Sequence, residues 1–339
     1  MRLLIITQKV DKNDPILSFF HRWIEEFAKY CQSIIVICLQ KGEYNLPKNI
    51  KILSLGKEKG KSKIKYIFNF YKHIWHERKN YDVVFVHMNP VYVILGGFFW
   101  KISGKKITLW YTHKSVDWKL CLAEKITNII FTASKESFRL PSKKVEVTGH
   151  GIDIRKFKNQ KSKIKSNKFM IITAGRIAEV KNLHLLIETA DILKNKNFNF
   201  EIKIAGAPIL EADKIYFEKL KNLIKKKELE NLIKFVGSIS NNDIAEFYQS
   251  GDIFVNLSDT GSADKVVLEA MATGLNILTS NEAFKNVVSE KYFTEKKPEI
   301  ITDKIIDLSV EVADHDLRKY IIANHNLSYL AKIITESFN

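Results

Sequence analysis

Two rhythms of apolar residues alternate along this chain. Short, nearly continuous runs of Ile, Val, Leu and Phe occur at residues 3–7, 33–39, 50–53, 83–87, 107–111, 129–132 and 145–148. Runs of that length, apolar throughout, predict strands buried on both faces, and so a parallel sheet covered by helices. Longer stretches between them carry the helical period. Phe19, Trp23 and Phe27 stand four apart within residues 15–30, and Ile67, Phe68, Tyr71, Ile74 and Trp75 keep helical spacing within residues 63–78. The pattern breaks at Gly149-His150-Gly151-Ile152-Asp153 and the polar, basic segment 156–168, then restarts. Strands are predicted at 169–174, 200–205, 233–236, 253–257 and 277–278. Helices are predicted at 182–193, 211–227 and 242–250, the last opened by Ser240, Asn241 or Asn242 as cap, and residues 298–339 read as mostly helical. The expected architecture is α/β, with two doubly wound Rossmann-like domains, 1–155 and 165–320, facing across a cleft.

One stretch concentrates the chemistry. The strand at 253–257 runs into Ser258-Asp259-Thr260-Gly261-Ser262-Ala263-Asp264-Lys265; helix formers follow from Val266 to Thr273, and Gly274 sits where a C-terminal glycine belongs. In an open parallel sheet, ligands bind beyond the carboxyl ends of the strands. The first-turn N–H groups of Asp264, Lys265 and Val266 would favour an anion there. Lys265 and Glu269 are four apart and share a helix face. They read either as a surface ion pair or as a cation beside a phosphate, with a carboxylate one turn further in to accept ribose hydroxyls.

Three other strand ends carry candidates. Gly175-Arg176 and Lys181 follow the strand at 169–174; the glycine allows close backbone approach, and the two cations suit a diphosphate, or else only solvent. Gly237-Ser238-Ile239 ends the strand at 233–236, where a glycine could let a planar base lie against the backbone or simply serve the turn. His113 ends another strand and could bond a sugar hydroxyl; His87 and His150 rank below it. Asp314-His315-Asp316 resembles a metal-binding carboxylate pair but lacks a preceding strand, so it reads as a solvated helix start and no metal site is expected.

Composition narrows the classes. The 339 residues are 45% hydrophobic, enough for a packed core, and three scattered cysteines fit a reducing compartment. The amino terminus reads as a strand rather than a secretory signal, and the longest apolar run, residues 91–100, is about half a membrane span. A cytoplasmic protein is expected. The net charge of +16 suits phosphorylated ligands or an anionic surface, and no zinc-finger, RNP or helix-turn-helix pattern accompanies it, so nucleic acid is not expected. Residues 57–79 combine lysines with an aromatic stripe, either packed on the sheet or laid on an anionic membrane.

Taken together, Gly175-Arg176…Lys181-Asn182, the strand leading to Ser258, and Glu269-Ala270-Met271-Ala272…Gly274 resemble a retaining GT-B glycosyltransferase of family 4. Gly151-Ile152-Asp153…Phe157 is similar to that family's interdomain segment, and the order and spacing match across about residues 149–281. The resemblance implies that Arg176 and Lys181 hold the donor diphosphate, Glu269 binds the ribose, Ser238 and Ile239 line the base pocket, and His113 sits by the transferred sugar. It implies a hexosyl transfer from a nucleoside-diphosphate sugar to a glycan or lipid-linked hydroxyl, with retention, in surface polysaccharide or glycolipid assembly. No metal or other cofactor is required, and a C-terminal helix at 321–339 packs back on the first domain. The family also places an acid eight residues before Glu269; here that position is Gly261, in Gly261-Ser262-Ala263, and Asp264 is the nearest carboxylate to take its part. The family's N-terminal glycine-rich loop is replaced by residues 9–15. A GT-B nucleotide-sugar epimerase and an inactive nucleotide-sugar-binding protein are the competing readings.

Overall fold

The computed structural model describes residues 1–14, 17–60, 62–157, 167–311 and 315–338. It divides into two compact units, Met1–Asp153 with His325–Asn339, and Ile154–Asn324.

The first unit runs β1 (Arg2–Val10), α1 (Ser18–Phe27), β2 (Ser33–Lys41), β3 (Ile50–Ser54), α2 (Lys63–His76), β4 (Val83–His87), α3 (Pro90–Ile102), β5 (Lys106–Trp110), α4 (Trp118–Ile126), β6 (Ile129–Thr132) and β7 (Val145–Val147). All strands pair in parallel, in the order β3-β2-β1-β4-β5-β6-β7. Strand alternation splits β1 between two cores. Leu3 and Ile5 face α1, with Phe20, Trp23 and Phe27; Leu4 and Ile6 face Phe70 of α2, Trp100 of α3 and Leu120 of α4.

The second unit runs β8 (Phe169–Ala174), α5 (Leu183–Asn195), β9 (Phe200–Ala205), α6 (Glu211–Lys226), β10 (Ile233–Gly237), α7 (Ile244–Ser250), β11 (Ile253–Asn256), α8 (Lys265–Ala272), β12 (Asn276–Thr279), α9 (Pro298–Ser309) and α10 (His315–Asn324). Its parallel sheet has the order β10-β9-β8-β11-β12. The winding reverses between β8 and β11, which makes their carboxyl ends the switch point where a doubly wound sheet opens a crevice.

The chain then re-enters the first unit. Ile152 and Asn326 form a parallel bridge, and Leu327 N–H donates to the Ile152 carbonyl at 2.9 Å. The last helix, α11 (Leu327–Glu336), buries Leu330, Ala331 and Ile334 in the core shared with α1. The return begins at His325, a few residues beyond the expected position 321.

Two helices were not anticipated. Asn89 accepts from Val91 N–H at 3.1 Å and Pro90 takes the first position, so the apolar run at 91–100 becomes α3. Asp117 caps α4 by accepting from Leu120 N–H at 2.9 Å. The cap expected among Ser240, Asn241 and Asn242 is displaced: α7 has Asp243 at its N-cap position, and the Ser240 hydroxyl donates to the Asp243 carboxylate at 2.6 Å in the preceding turn. Asp314 and the His315 side chain, with Lys61 and residues 158–166, lie outside the described residues. Among the described residues no helix is long and apolar enough to cross a membrane.

Candidate functional site

The carboxyl ends of β8, β9 and β10 are closed by glycines, Gly175, Gly206 and Gly237, all with positive φ. The reason is spatial at Gly206: a Cβ there would meet the Gly175 carbonyl oxygen at 1.8 Å. Gly206 N–H donates to the Gly237 carbonyl at 2.7 Å, and Gly175 N–H to the Ala205 carbonyl at 3.0 Å. The three strand ends therefore carry little side-chain bulk.

Two loops are laced together at the switch point. Asn182, in the left-handed conformation, donates to the Leu257 carbonyl at 2.9 Å and to the Asp259 carboxylate at 2.7 Å. Asp259 N–H returns a bond to the Val180 carbonyl at 2.9 Å. This lacing carries Lys181 across from the end of β8 to the end of β11. There its ammonium donates to Asp264 Oδ2 at 3.0 Å and to the Ser258 hydroxyl at 3.3 Å. Gly175, Arg176, Lys181, Asn256 and Leu257 line one small pocket.

Asp264 is held from several sides. Besides Lys181, its Oδ2 accepts from Asn256 Nδ2 at 3.1 Å, and its Oδ1 from the Thr260 hydroxyl at 3.1 Å. Asn256, at the end of β11, also accepts from the Thr279 hydroxyl at 3.2 Å, and Asn281 donates to the Ser262 carbonyl at 2.9 Å. The carboxylate that the resemblance offers in place of the missing acid is thus bonded to Lys181, Asn256 and Thr260. Gly261 has φ +64°, a conformation that suits glycine rather than an acidic side chain in this loop.

Helix α8 begins directly after Asp264, so its first-turn N–H groups open beside this cluster. Its far end is a Schellman cap: Gly274 N–H donates to the Met271 carbonyl at 3.0 Å and Leu275 N–H to Ala270 at 3.3 Å. On its face Lys265 Nζ lies 3.4 Å from Glu269 Oε1, and the buried Tyr248 hydroxyl donates to Glu269 Oε2 at 3.0 Å. Burial lowers the Lys265 pKa, opposed by Glu269; burial raises the Tyr248 hydroxyl well above its ordinary value, with the Glu269 charge adding to it. Val266 follows in the first turn, half-buried.

Arg176 is partly exposed, with Nε 3.7 Å from the buried Asp213 carboxylate. Asp213 is fixed in turn by the Ile209 and Leu210 N–H groups at 3.2 and 2.9 Å. Gly237 and Ser238 are exposed and Ile239 half-buried, at the end of the edge strand β10. His113 belongs to the first unit; its Nδ1 accepts from Ser115 N–H at 3.1 Å and its ring meets the edge of Tyr111. Sequence reasoning missed Gly206, Asn256, Thr260, Asp213, Tyr248 and Asn281. Asn256 alone left a signal, as the polar residue inside an apolar strand. Among the described residues no group of three or more His, Cys, Asp or Glu side chains is placed to hold a metal ion.

The family model for glycosyl transferases group 1 matches residues 154–334, just over half the chain. The amylovoran biosynthesis glycosyltransferase AmsK of Erwinia amylovora is 31% identical over 149 residues, 42% of this chain and 35% of that protein. The capsular polysaccharide biosynthesis glycosyltransferase CapM of Staphylococcus aureus is 28% identical over 228 residues, 63% of this chain and 52% of that protein. The chain thus spans about a third to a half of the length of these curated relatives. Among solved structures, Anabaena Alr3699/HepE in complex with UDP superposes with a TM-score of 0.79 at 16% identity, covering 99% of both chains. Two parallel-sheet α/β units, the pocket at the second unit's switch point and the matched family model lead to one conclusion: the chain belongs to the glycosyl transferases group 1 and has the GT-B fold.

Proposed function

We propose that this protein is a retaining, family 4 hexosyltransferase. It moves a sugar from a nucleoside-diphosphate donor to a hydroxyl on a glycan or lipid-linked acceptor, in cell-surface polysaccharide or glycolipid synthesis, with no metal required. The observation that carries the reading is the anchoring of Lys181 at the switch point by Asp264, Ser258 and the laced loops, beside Arg176 and the start of α8. As the donor's glycosidic bond breaks, negative charge grows on the departing diphosphate. Arg176 forks onto its oxygens, Lys181 adds a fixed charge, and the first-turn N–H groups of α8 add aligned dipoles. Glu269, one turn inside, accepts from the ribose hydroxyls, and Gly237, Ser238 and Ile239 border the base. The polysaccharide-synthesis names of the relatives and the UDP and UDP-glucose held by HepE support a nucleotide-sugar donor.

The test has two parts. A thermal-shift screen over UDP, GDP, ADP, CMP and their sugars should find one binder, which stabilises by about 2.7 kcal/mol at a hundredfold excess over Kd. With that donor, Arg176→Ala should cut turnover by about 10²–10³, roughly 3–4 kcal/mol of barrier, while changing nucleotide affinity far less. Turnover within about threefold of wild type would overturn the assignment. Product analysis without acceptor separates transfer from epimerisation.

A further inference from the structure

The first unit carries a surface that its fold leaves unused. Helices α2, α3 and α4 cover one face of the seven-stranded sheet and are joined side to side. The Tyr71 hydroxyl donates to the Leu95 carbonyl at 2.9 Å, the Trp75 and Phe99 rings lie 5.8 Å apart, and the Lys101 ammonium reaches the Lys125 carbonyl at 3.5 Å. Their inner faces are core. Their outer faces are apolar where a solvated helix would be polar. Ile64, Phe68, Phe98, Ile102 and Trp118 are each more than two-thirds exposed, and Trp75 more than half. Single exposed apolar side chains are ordinary, but ridges of them on three adjoining helices mark an interaction surface.

Charge identifies the partner. Lys63, Lys65 and Lys72 project from α2, Lys101 from α3 and Lys125 from α4, all exposed. Neither Lys63–His76 nor Pro90–Ile102 contains an acidic residue. Glu124 on α4 is turned to the Ser142 hydroxyl and Lys144. A second copy of this face would set lysine against lysine. The cores of protein interfaces are depleted in lysine, whereas here lysines alternate with aromatic rings. That alternation suits the headgroup layer of a bilayer, where rings and aliphatic stems sink between lipids and ammonium groups stay with the phosphates.

We propose that the α2–α3–α4 face docks this protein on an anionic lipid bilayer, with Phe68, Phe98 and Trp118 as inserted anchors. The surface is wider than residues 57–79, because its most exposed rings include two from α3 and α4. The proposal stands apart from the sugar-transfer reading, and its test needs no donor or acceptor.

Full-length protein is sedimented with vesicles of pure phosphatidylcholine and with vesicles carrying about a third phosphatidylglycerol. Binding should favour the anionic vesicles and fall as salt is raised. Each lysine near such a surface adds about fivefold to partitioning, so Lys63→Gln/Lys65→Gln/Lys72→Gln should lose about a hundredfold. Phe68→Ser/Phe98→Ser/Trp118→Ser should abolish binding with an unchanged thermal midpoint, since these rings are exposed. Wild-type protein that stays in the supernatant with both vesicle types overturns the proposal. So does a solution dimer that the triple serine variant dissolves, or capture of an acidic protein without vesicle binding.

Discussion

The two sheets share a winding rule and treat their carboxyl edges in opposite ways. In the first unit the edge is filled with rings: His87 ends β4 and stacks on Phe20 at 3.8 Å, while Trp110 ends β5 with Trp23 edge-on at 4.9 Å. Trp23 also donates to the Gly151 carbonyl at 3.2 Å, and a Cβ at Gly151 would meet its ring at 2.6 Å. In the second unit β10 ends in Gly237, β8 and β9 are followed directly by Gly175 and Gly206, and the other two strands end in Asn256 and Thr279, which bond to each other. One edge is closed by packing and the other is kept open by small residues and satisfied polar ones. The comparison teaches that a crevice is made by the residues at the strand ends; the fold only offers the place.

Variants can break or sharpen this contrast. The largest effect should come from Trp23→Ala, which removes a fully packed ring and should cost about 3–5 kcal/mol in urea unfolding, with any nucleotide-induced thermal shift retained. An unchanged midpoint would mean that the aromatic edge is not structural.

Acid should come next. Burial holds the folded His87 pKa down at about 3, against 6.5 for an ordinary imidazole. Between these values the unfolded chain binds the extra proton, so the stabilisation is complete above about pH 6.5 and drains as pH falls towards 3. The slope from this residue is about 1.4 kcal/mol per pH unit. His325, held down at about 4 by burial, acts in the same direction. Unfolding titrations at pH 7 and 5 should show the loss, and His87→Gln should flatten the slope by that amount. An unaltered slope would place the titrating group elsewhere.

The smallest effect belongs to Asp264, at the open edge. Asp264→Asn should slow turnover roughly tenfold by loosening Lys181, about 1.4 kcal/mol of barrier, while shifting the unfolding midpoint little. A large stability loss with unchanged kcat in the folded fraction would make Asp264 part of the scaffold instead.

Much of this architecture was legible because buried parallel strands carry nearly continuous apolar runs, as in Leu3–Ile6 of β1, Val83–Val86 of β4 and Phe169–Ile172 of β8. Helix α3 escaped because it is apolar on both sides: Gly96 and Gly97 face inward, Phe98 and Ile102 outward, and no amphipathic period remains. Helix α4 is short, and its signal is one capping aspartate. At the site, Arg176, Lys181, Asp264, Lys265 and Glu269 could be named from local spacing. Their partners could not, because Lys181 with Asp264, Arg176 with Asp213 and Glu269 with Tyr248 are joined by folding rather than by sequence neighbourhood.

Glu269 carries a further consequence. One of its oxygens is already matched by Tyr248 and the other faces Lys265. An ionised carboxylate offers about four lone-pair positions, so a guest hydroxyl reaching it must take one that these two partners leave open. The benefit of that narrowed approach would lie in rejecting molecules whose hydroxyl is missing or turned away.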